Sequence, residues 1–394
     1  MNQNWLSWFE RQLEIAREKD LNRSIEISPA HRLSRLNKER EIDLSTNDYL
    51  GLSSNSAISS LIAASVTHGN GTTAARLAGG TSKLHMDLEA ELAKFHGKQA
   101  CLTFSSGYLA NLGVISALIG KDDAIVSDKL NHASIIDAAL LSRAKHYRYR
   151  HLDMEDLESK LDAATRRHKK VLLVSEAIFS MNGDLAPLRE MINLKNKYGA
   201  LFYLDEAHSV GVRGLHGEGL AAEMGVAKDI DIILATFGKA YAIAGSYIVS
   251  DEITVSHLVN TCRTFIFSTS MPIYNIAGCM ASLEIIKESS QLRANLNETS
   301  KYMRQNLISR GFDIMNSDSH IIPILIGDNS QSLAVKKSLG ENGVFVNAIR
   351  PPTVPTGSAR LRLSLSAQYD NDDMETVLQH IDNLLKPPTT FRNA

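Results

Sequence analysis

From about residue 85 to 250 the sequence alternates between two kinds of run, and this alternation restricts the fold more than any other feature. Helix-length stretches at 84–95 and 108–118 are interleaved with short apolar runs at 100–104, 124–127, 171–176 and 201–205. Strands and helices taken in turn build a mainly parallel sheet covered by helices, because parallel neighbours need a crossover of a dozen or more residues. Ligands of such sheets collect outside the carboxyl ends of the strands, so chemistry is expected just beyond each apolar run.

On either side of this core the pattern differs. Positions 3–21 read as one amphipathic helix, with Trp5, Trp8, Phe9, Leu13, Ile15 and Ala16 as its apolar positions. A short strand starts at Ile42 and ends in the turn chemistry of Ser45-Thr-Asn-Asp-Tyr-Leu-Gly51. Beyond Thr269-Ser-Met-Pro272 a long helical segment over 273–311 leads into strands at 321–326, 344–349 and 360–366, a second α+β region. The expected divisions are an N-terminal helix and arm (1–50), a large domain (51–272), and a linker helix with a small C-terminal domain (273–394). The last residues, 387–394, read as a frayed tail.

Composition narrows the function classes. A chain of 394 residues can bury a large core without disulfide or metal staples. Its formal net charge of −2 gives no electrostatic reason to expect nucleic acid or an anionic membrane as partner. No window approaches the roughly 20 apolar residues of a membrane span, and the first residues lack the basic-then-apolar order of a signal peptide. Cys101, Cys262 and Cys279 are odd in number and widely spaced, as suits a reducing, cytoplasmic setting. The 13 histidines show no metal-ligand spacing, so no metal is expected.

The chemistry-bearing residues fall at the strand ends. Asp205-Glu-Ala-His208 closes one apolar run, and Lys239, in Thr236-Phe-Gly-Lys-Ala240, closes the next. An aspartate after a strand often does no more than cap a helix. Here the lysine arrives one crossover later, and the set matches the needs of pyridoxal phosphate: an amine for the aldehyde, and a carboxylate to keep the pyridine nitrogen protonated. Ser105-Ser-Gly-Tyr108, between a strand and a helix, suits a phosphate or a plain turn. His132 and Ser180 each follow a strand and could face the cofactor ring. In Ala359-Arg-Leu-Arg-Leu-Ser364 the alternation puts Arg360 and Arg362 on one strand face, either a solvated edge or a carboxylate clamp. Gly217-Glu-Gly-Leu-Ala-Ala222 fits a dinucleotide-type string, but a loop precedes it where a strand is required.

Taken together the residues resemble the α-oxoamine synthase family of fold type I pyridoxal phosphate enzymes. The resemblance runs from Ser45 to about 385, most tellingly through Ala235-Thr-Phe-Gly-Lys239, Ser268-Thr-Ser-Met-Pro272, and Ile349-Arg-Pro-Pro-Thr-Val-Pro355 with Ala359-Arg-Leu-Arg-Leu363. It implies an α/β fold: a large domain with a mainly parallel seven-stranded sheet, a smaller C-terminal α+β domain, and an N-terminal helix. It also implies Lys239 as the Schiff-base lysine, Asp205 at the pyridine nitrogen, His132 stacked on the ring, and Ser180 and His208 at the ring oxygen. Gly107 and Tyr108 amides and the Thr236 hydroxyl would hold the phosphate, with Thr269 reaching the phosphate of a partner subunit in a homodimer with shared sites. Arg360 and Asn47 would take the amino-acid carboxylate, and Arg23 and Thr353 the acyl substrate. The substrates implied are L-alanine and a pimeloyl thioester, on acyl carrier protein or coenzyme A. A sister enzyme using glycine would share nearly all of these residues. Two segments depart from the family pattern: Ala240-Tyr-Ala-Ile-Ala-Gly245 and Gly71-Thr-Thr-Ala-Ala75 carry other residues where the family has glycine.

Overall fold

The computed structural model describes residues 2–27 and 41–385; the tail expected at 387–394 lies outside the described residues. Two compact units emerge, one comprising Asp48–Ser180 and Asp184–Ala294, the other Met1–Asn47, Met181–Gly183 and Asn295–Ala394. In chain order the strands are β1 (Ile42–Asp43), β2 (Ala100–Phe104), β3 (Ala124–Asp128), β4 (Lys145–Tyr149), β5 (Val171–Glu176), β6 (Leu201–Asp205), β7 (Ile232–Thr236), β8 (Ser246–Ser250), β9 (Ile321–Gly327), β10 (Val344–Phe345), β11 (Asn347–Ile349) and β12 (Ala359–Ser364). The helices that bear on the site or its surroundings are α1 (Gln3–Glu18), α2 (Ser56–Ser65), α3 (Lys83–Phe95), α4 (Gly107–Leu118), α5 (Ala133–Ser142), α6 (Met154–Thr165), α7 (Leu188–Tyr198) and α8 (Leu220–Glu223).

The larger unit is built on a seven-stranded sheet in the order β2-β8-β7-β6-β5-β3-β4. Five strands, β7, β6, β5, β3 and β4, pair in parallel, and β8 alone among them runs antiparallel to its neighbours β7 and β2. The expected fold class is therefore the observed one. Val171 to Val174 and Phe202 to Leu204 are buried on both sides, which is why these strands read as unbroken apolar runs with no alternation. On one face Leu102, Leu172, Val174, Leu234 and Ile248 form a single core with Val114 and Ile115 of α4 and Ile135 of α5. Each such side chain contributes about 1.5–3 kcal/mol on burial.

In the smaller unit β9, β12 and β11 form an antiparallel sheet, and β1 pairs in parallel with β10. Two expectations need correction here. The run at 344–349 is two strands with different partners, β10 on β1 and β11 on β12. The segment 273–311 is two helices, Ile273–Glu288 and Ser290–Ser309, broken at Ser289 where ψ reaches 49°. The amphipathic N-terminal helix forms as α1, with the Asn2 side chain capping it, yet Trp5, Trp8, Phe9 and Leu13 are exposed. Among the described residues no helix is long and apolar enough to cross a membrane, and no cluster could hold a metal ion.

Candidate active site

Chain order switches direction across the sheet between β3 and β5, since β4 lies beyond β3 on one side while β5, β6 and β7 follow on the other. Open α/β sheets form crevices at such a point. At the carboxyl ends Glu176 of β5 lies opposite Asp205 of β6, and Asp205 lies opposite Leu234 of β7. A cavity of about 200 Å³ opens there, lined by Gly107, His132, Asp205, His208, Thr236 and Lys239 among others. The sequence singled out all six.

Lys239 Nζ lies 2.8 Å from His208 Nε2, and His208 Nδ1 lies 2.6 Å from the Tyr49 hydroxyl. Asp205 is buried and held at both oxygens: Oδ1 accepts from the Ala207 backbone N–H at 2.9 Å and Oδ2 from Asn111 Nδ2 at 2.9 Å. His132 is the N-cap of α5, its Nδ1 accepting the Ser134 backbone N–H at 3.3 Å and lying 2.7 Å from Ser134 Oγ. Burial lowers the His132 pKa and the Lys239 charge adds to this, against an opposing pull from Asp205 and Asp137.

Glu176 is the buried hub of the site. Its Oε1 accepts the His132 backbone N–H at 2.6 Å and its Oε2 the Ser180 N–H at 3.2 Å, so one carboxyl ties together the loops after β3 and β5. Burial, reinforced by the Asp205 charge, pushes its pKa up to about 8, while Lys239 and the two N–H donors oppose the rise.

The start of α4 has the exposed N–H groups and dipole that could receive an anion. Ser106 caps the helix by accepting the Leu109 N–H at 3.2 Å, which leaves Gly107 and Tyr108 in the first turn at the positive end of the dipole. Thr236 Oγ1 donates to Gly245 O at 2.9 Å and accepts from the Gly238 N–H, setting the turn that presents Lys239. The side chain of Tyr108 points outward and bonds Asp137. An amine, a carboxylate and a helix N-terminus around one cavity fit the aldehyde, ring nitrogen and phosphate of pyridoxal phosphate.

The other expected residues are not among those that line this cavity. Ser180 is reached through Glu176. Thr269 forms an isolated bridge with Ala75, and the next residue donates from its backbone N–H to Ala74 O at 3.0 Å. The remaining four belong to the smaller unit. There Arg360 donates to Asn182 Oδ1 at 2.5 Å, while Asn47 Oδ1 accepts from Arg362 at 3.2 Å. Both arginines are 3% exposed, which excludes a solvated strand face. Arg23 donates to Pro351 O at 3.3 Å, and the Thr353 N–H donates to Arg350 O at 3.2 Å.

Sequence reasoning passed over Asn111, Ser134, Glu176 and Tyr49. Glu176 carried a signal, as a carboxylate ending a strand that opens on four apolar residues. Asn111 carried a weaker one, as a polar residue in the nearly all-apolar stretch 107–118. The Gly217–Ala222 string also finds its reason. The buried Glu206 carboxylate accepts the Leu220 and Ala221 N–H groups at 2.8 Å, filling the place a pyrophosphate would take at α8. A Cβ on Gly219 would lie 2.6 Å from that carboxylate, so the glycine serves close packing and not a nucleotide.

A seven-stranded, mainly parallel sheet with lysine, aspartate and histidine at its strand ends defines a fold type I pyridoxal phosphate enzyme. The profile of the class I and II aminotransferase family matches residues 39–381. The 8-amino-7-oxononanoate synthase of Anaeromyxobacter dehalogenans is 42% identical over 394 residues, covering 99% of this chain and 98% of its own. Among solved structures, serine palmitoyltransferase from S. paucimobilis with bound PLP superposes with a TM-score of 0.84 at 32% identity, covering 87% of each chain. The Francisella tularensis 8-amino-7-oxononanoate synthase gives 0.77 at 28% identity, covering 87% of this chain and 97% of its own. The chain belongs to the class I and II aminotransferase family and, within it, to the 8-amino-7-oxononanoate synthases, pyridoxal phosphate-dependent acyltransferases of biotin biosynthesis.

Proposed function

We propose that the protein condenses L-alanine with a pimeloyl thioester, on acyl carrier protein or coenzyme A, to give 8-amino-7-oxononanoate, carbon dioxide and the free thiol. The observation that carries this reading is the near full-length identity of 42% to the A. dehalogenans enzyme. The shared cavity of Lys239, Asp205, His132 and His208 supports it.

Bound pyridoxal phosphate supplies an electron sink next to the α-carbon of the amino acid. Lys239 Nζ would hold the cofactor and would serve as the base for the α-proton of the amino acid. Asp205, aimed by Ala207 and Asn111, stabilises positive charge at the ring nitrogen. His132 would pack against the cofactor and offer a ring N–H to the carbonyl oxygen of the acyl group. The Gly107 and Tyr108 amides and Thr236 hold the phosphate, and Ser180 and His208 hold the ring oxygen. In a homodimer with shared sites Thr269 serves the phosphate of the second copy. Arg360 and Asn47 receive the amino-acid carboxylate, and Arg23 and Thr353 the acyl substrate. Three unpaired, buried cysteines support a reducing, cytoplasmic setting.

The test is purified protein with L-alanine or glycine against a panel of acyl thioesters, with product mass recorded. Alanine with a pimeloyl donor is expected to give the highest rate. Preference for glycine, or indifference to the pimeloyl group, would overturn the reading.

A further inference from the structure

The polar groups behind the cavity form one chain of hydrogen bonds that runs from Tyr203 to His132. Tyr203 and Ser134 are fully buried and Asn111 is 2% exposed. The Tyr203 hydroxyl donates to Asn111 Oδ1 at 2.8 Å. The Asn111 amide nitrogen then forks, reaching Asp205 Oδ2 at 2.9 Å and Ser134 Oγ at 2.9 Å. Asp205 fixes the orientation of this amide, since a flip would set the amide oxygen against the carboxylate. Because Ser134 Oγ accepts from Asn111, its own proton is available for His132 Nδ1, 2.7 Å away. The Ser134 backbone N–H, which can only donate, points at the same nitrogen.

We propose that Asn111 and Ser134 are positioning residues that lock His132 as a neutral imidazole with its proton on Nε2, and that Asn111 ties this tautomer to the orientation of Asp205. A proton on Nδ1 would face the Ser134 backbone N–H and the positive end of α5, whose first N–H groups it would leave uncapped. Neutral histidine at a helix N-terminus is suited to polarising a carbonyl by donating a hydrogen bond. The charged and titratable groups around the ring are Asp205 on β6, Lys239 after β7, Asp137 on α5, Glu176 on β5 and Tyr108 on α4. Burial and Lys239 act in the same sense as the relay, while Asp205 and Asp137 oppose it.

This inference rests on reading the cavity as the cofactor pocket, and its test is independent of which substrates are used. Full-length protein loaded with pyridoxal phosphate and labelled with nitrogen-15 in histidine is followed by NMR across pH, the His132 signals being assigned with His132→Gln. The wild type is expected to show a protonated Nε2 and a bare Nδ1 at neutral pH. Ser134→Ala removes one hydrogen bond without removing the backbone cap, and should shift the tautomer ratio towards Nδ1–H about 2- to 10-fold. Asn111→Ala should shift it in the same direction and also alter the visible absorption of the cofactor, because Asp205 loses a donor. A wild-type His132 that is charged or protonated at Nδ1 overturns the proposal, as does a Ser134→Ala protein, folded by circular dichroism, with an unchanged ratio. Failure of the substrate panel with an intact tautomer result would sink only the substrate assignment.

Discussion

The strand ends that carry Glu176, Asp205 and His132 differ in kind from the two segments, 71–75 and 240–245, that depart from the family's glycines. At the strand ends buried polar atoms are matched with partners: one carboxyl holds two loops, and one amide serves both Asp205 and Ser134. In the departing segments the backbone is strained, for Thr73 has φ +56° and Ala242 φ +57°, a left-handed conformation that disfavours residues with a Cβ. At residue 242 an alanine stands in a conformation that glycine favours, and it carries the cost. Hydrogen-bonded polar sites tolerate little substitution, whereas turns retain their geometry through the bonds on either side, here Ile243 N–H to Phe237 O and Ala242 N–H to Lys239 O.

The largest expected effect lies at the strand ends. Lys239→Ala removes the amine proposed to bind the cofactor and move the α-proton, and should lower turnover by at least about 10²–10⁴-fold. The fold should survive, because the side chain lines a cavity and is not part of the packed core. Steady-state rates and the visible absorption of the cofactor check this; full activity would remove Lys239 from the mechanism.

Glu176→Ala comes next. It leaves the His132 and Ser180 N–H groups buried without their acceptor, at about 1–3 kcal/mol each. Stability in urea should fall by a sum of that order, with Glu176→Gln, which restores one acceptor, falling less. A Glu176→Ala protein as stable as the wild type would show that the two loops do not depend on this carboxyl.

A pH effect follows from His151, just after β4. Its two ring nitrogens face Asp128 at 2.9 Å and Asp184 at 2.6 Å, so both must donate and the ring must be charged. Burial works against the charge, but the two carboxylates raise the pKa from 6.5 to about 9. The folded-state pKa is the higher one, so this contribution is complete below pH 6.5 and is lost as pH rises through about 9. Glu176, raised from 4.5 to about 8, adds a loss of the same sign over a lower window. Urea midpoints from pH 6 to 10 should therefore decline, and His151→Gln should flatten the upper part of the slope. An unchanged slope in that variant would place the titration elsewhere.

Legibility followed the same division. Lys239, Asp205 and His132 could be found because each ends or follows an apolar run, and the parallel sheet brings such ends together. Glu176 sat in plain view at the end of β5, but its role depends on the order β6-β5-β3, which no single strand reveals. Asn111 was harder still, since its value lies in contacts with Tyr203 and Ser134, 92 and 23 residues away. The split of 273–311 at Ser289 and of 344–349 at Val346 left no periodicity change to read. Composition did not foretell that α1 would keep its tryptophans exposed.

The smallest expected effect tests the strained segment beside the lysine. An alanine in the left-handed region costs about 1–2 kcal/mol, and the added freedom of glycine in the unfolded chain takes back about 0.5–1 kcal/mol. Ala242→Gly should therefore stabilise the protein by roughly 0.5 kcal/mol, a rise in melting temperature of about 0.6 °C for a chain of 394 residues. Ala240 supplies the control. It does not share the positive φ, is buried, and its methyl sits where a Cβ on Gly211 would approach to 2.5 Å. Ala240→Gly removes packing without relieving strain and should destabilise. If the two variants lose stability equally, the turn after Lys239 does not hold alanine in a left-handed conformation, and the contrast between the two regions fails at this point.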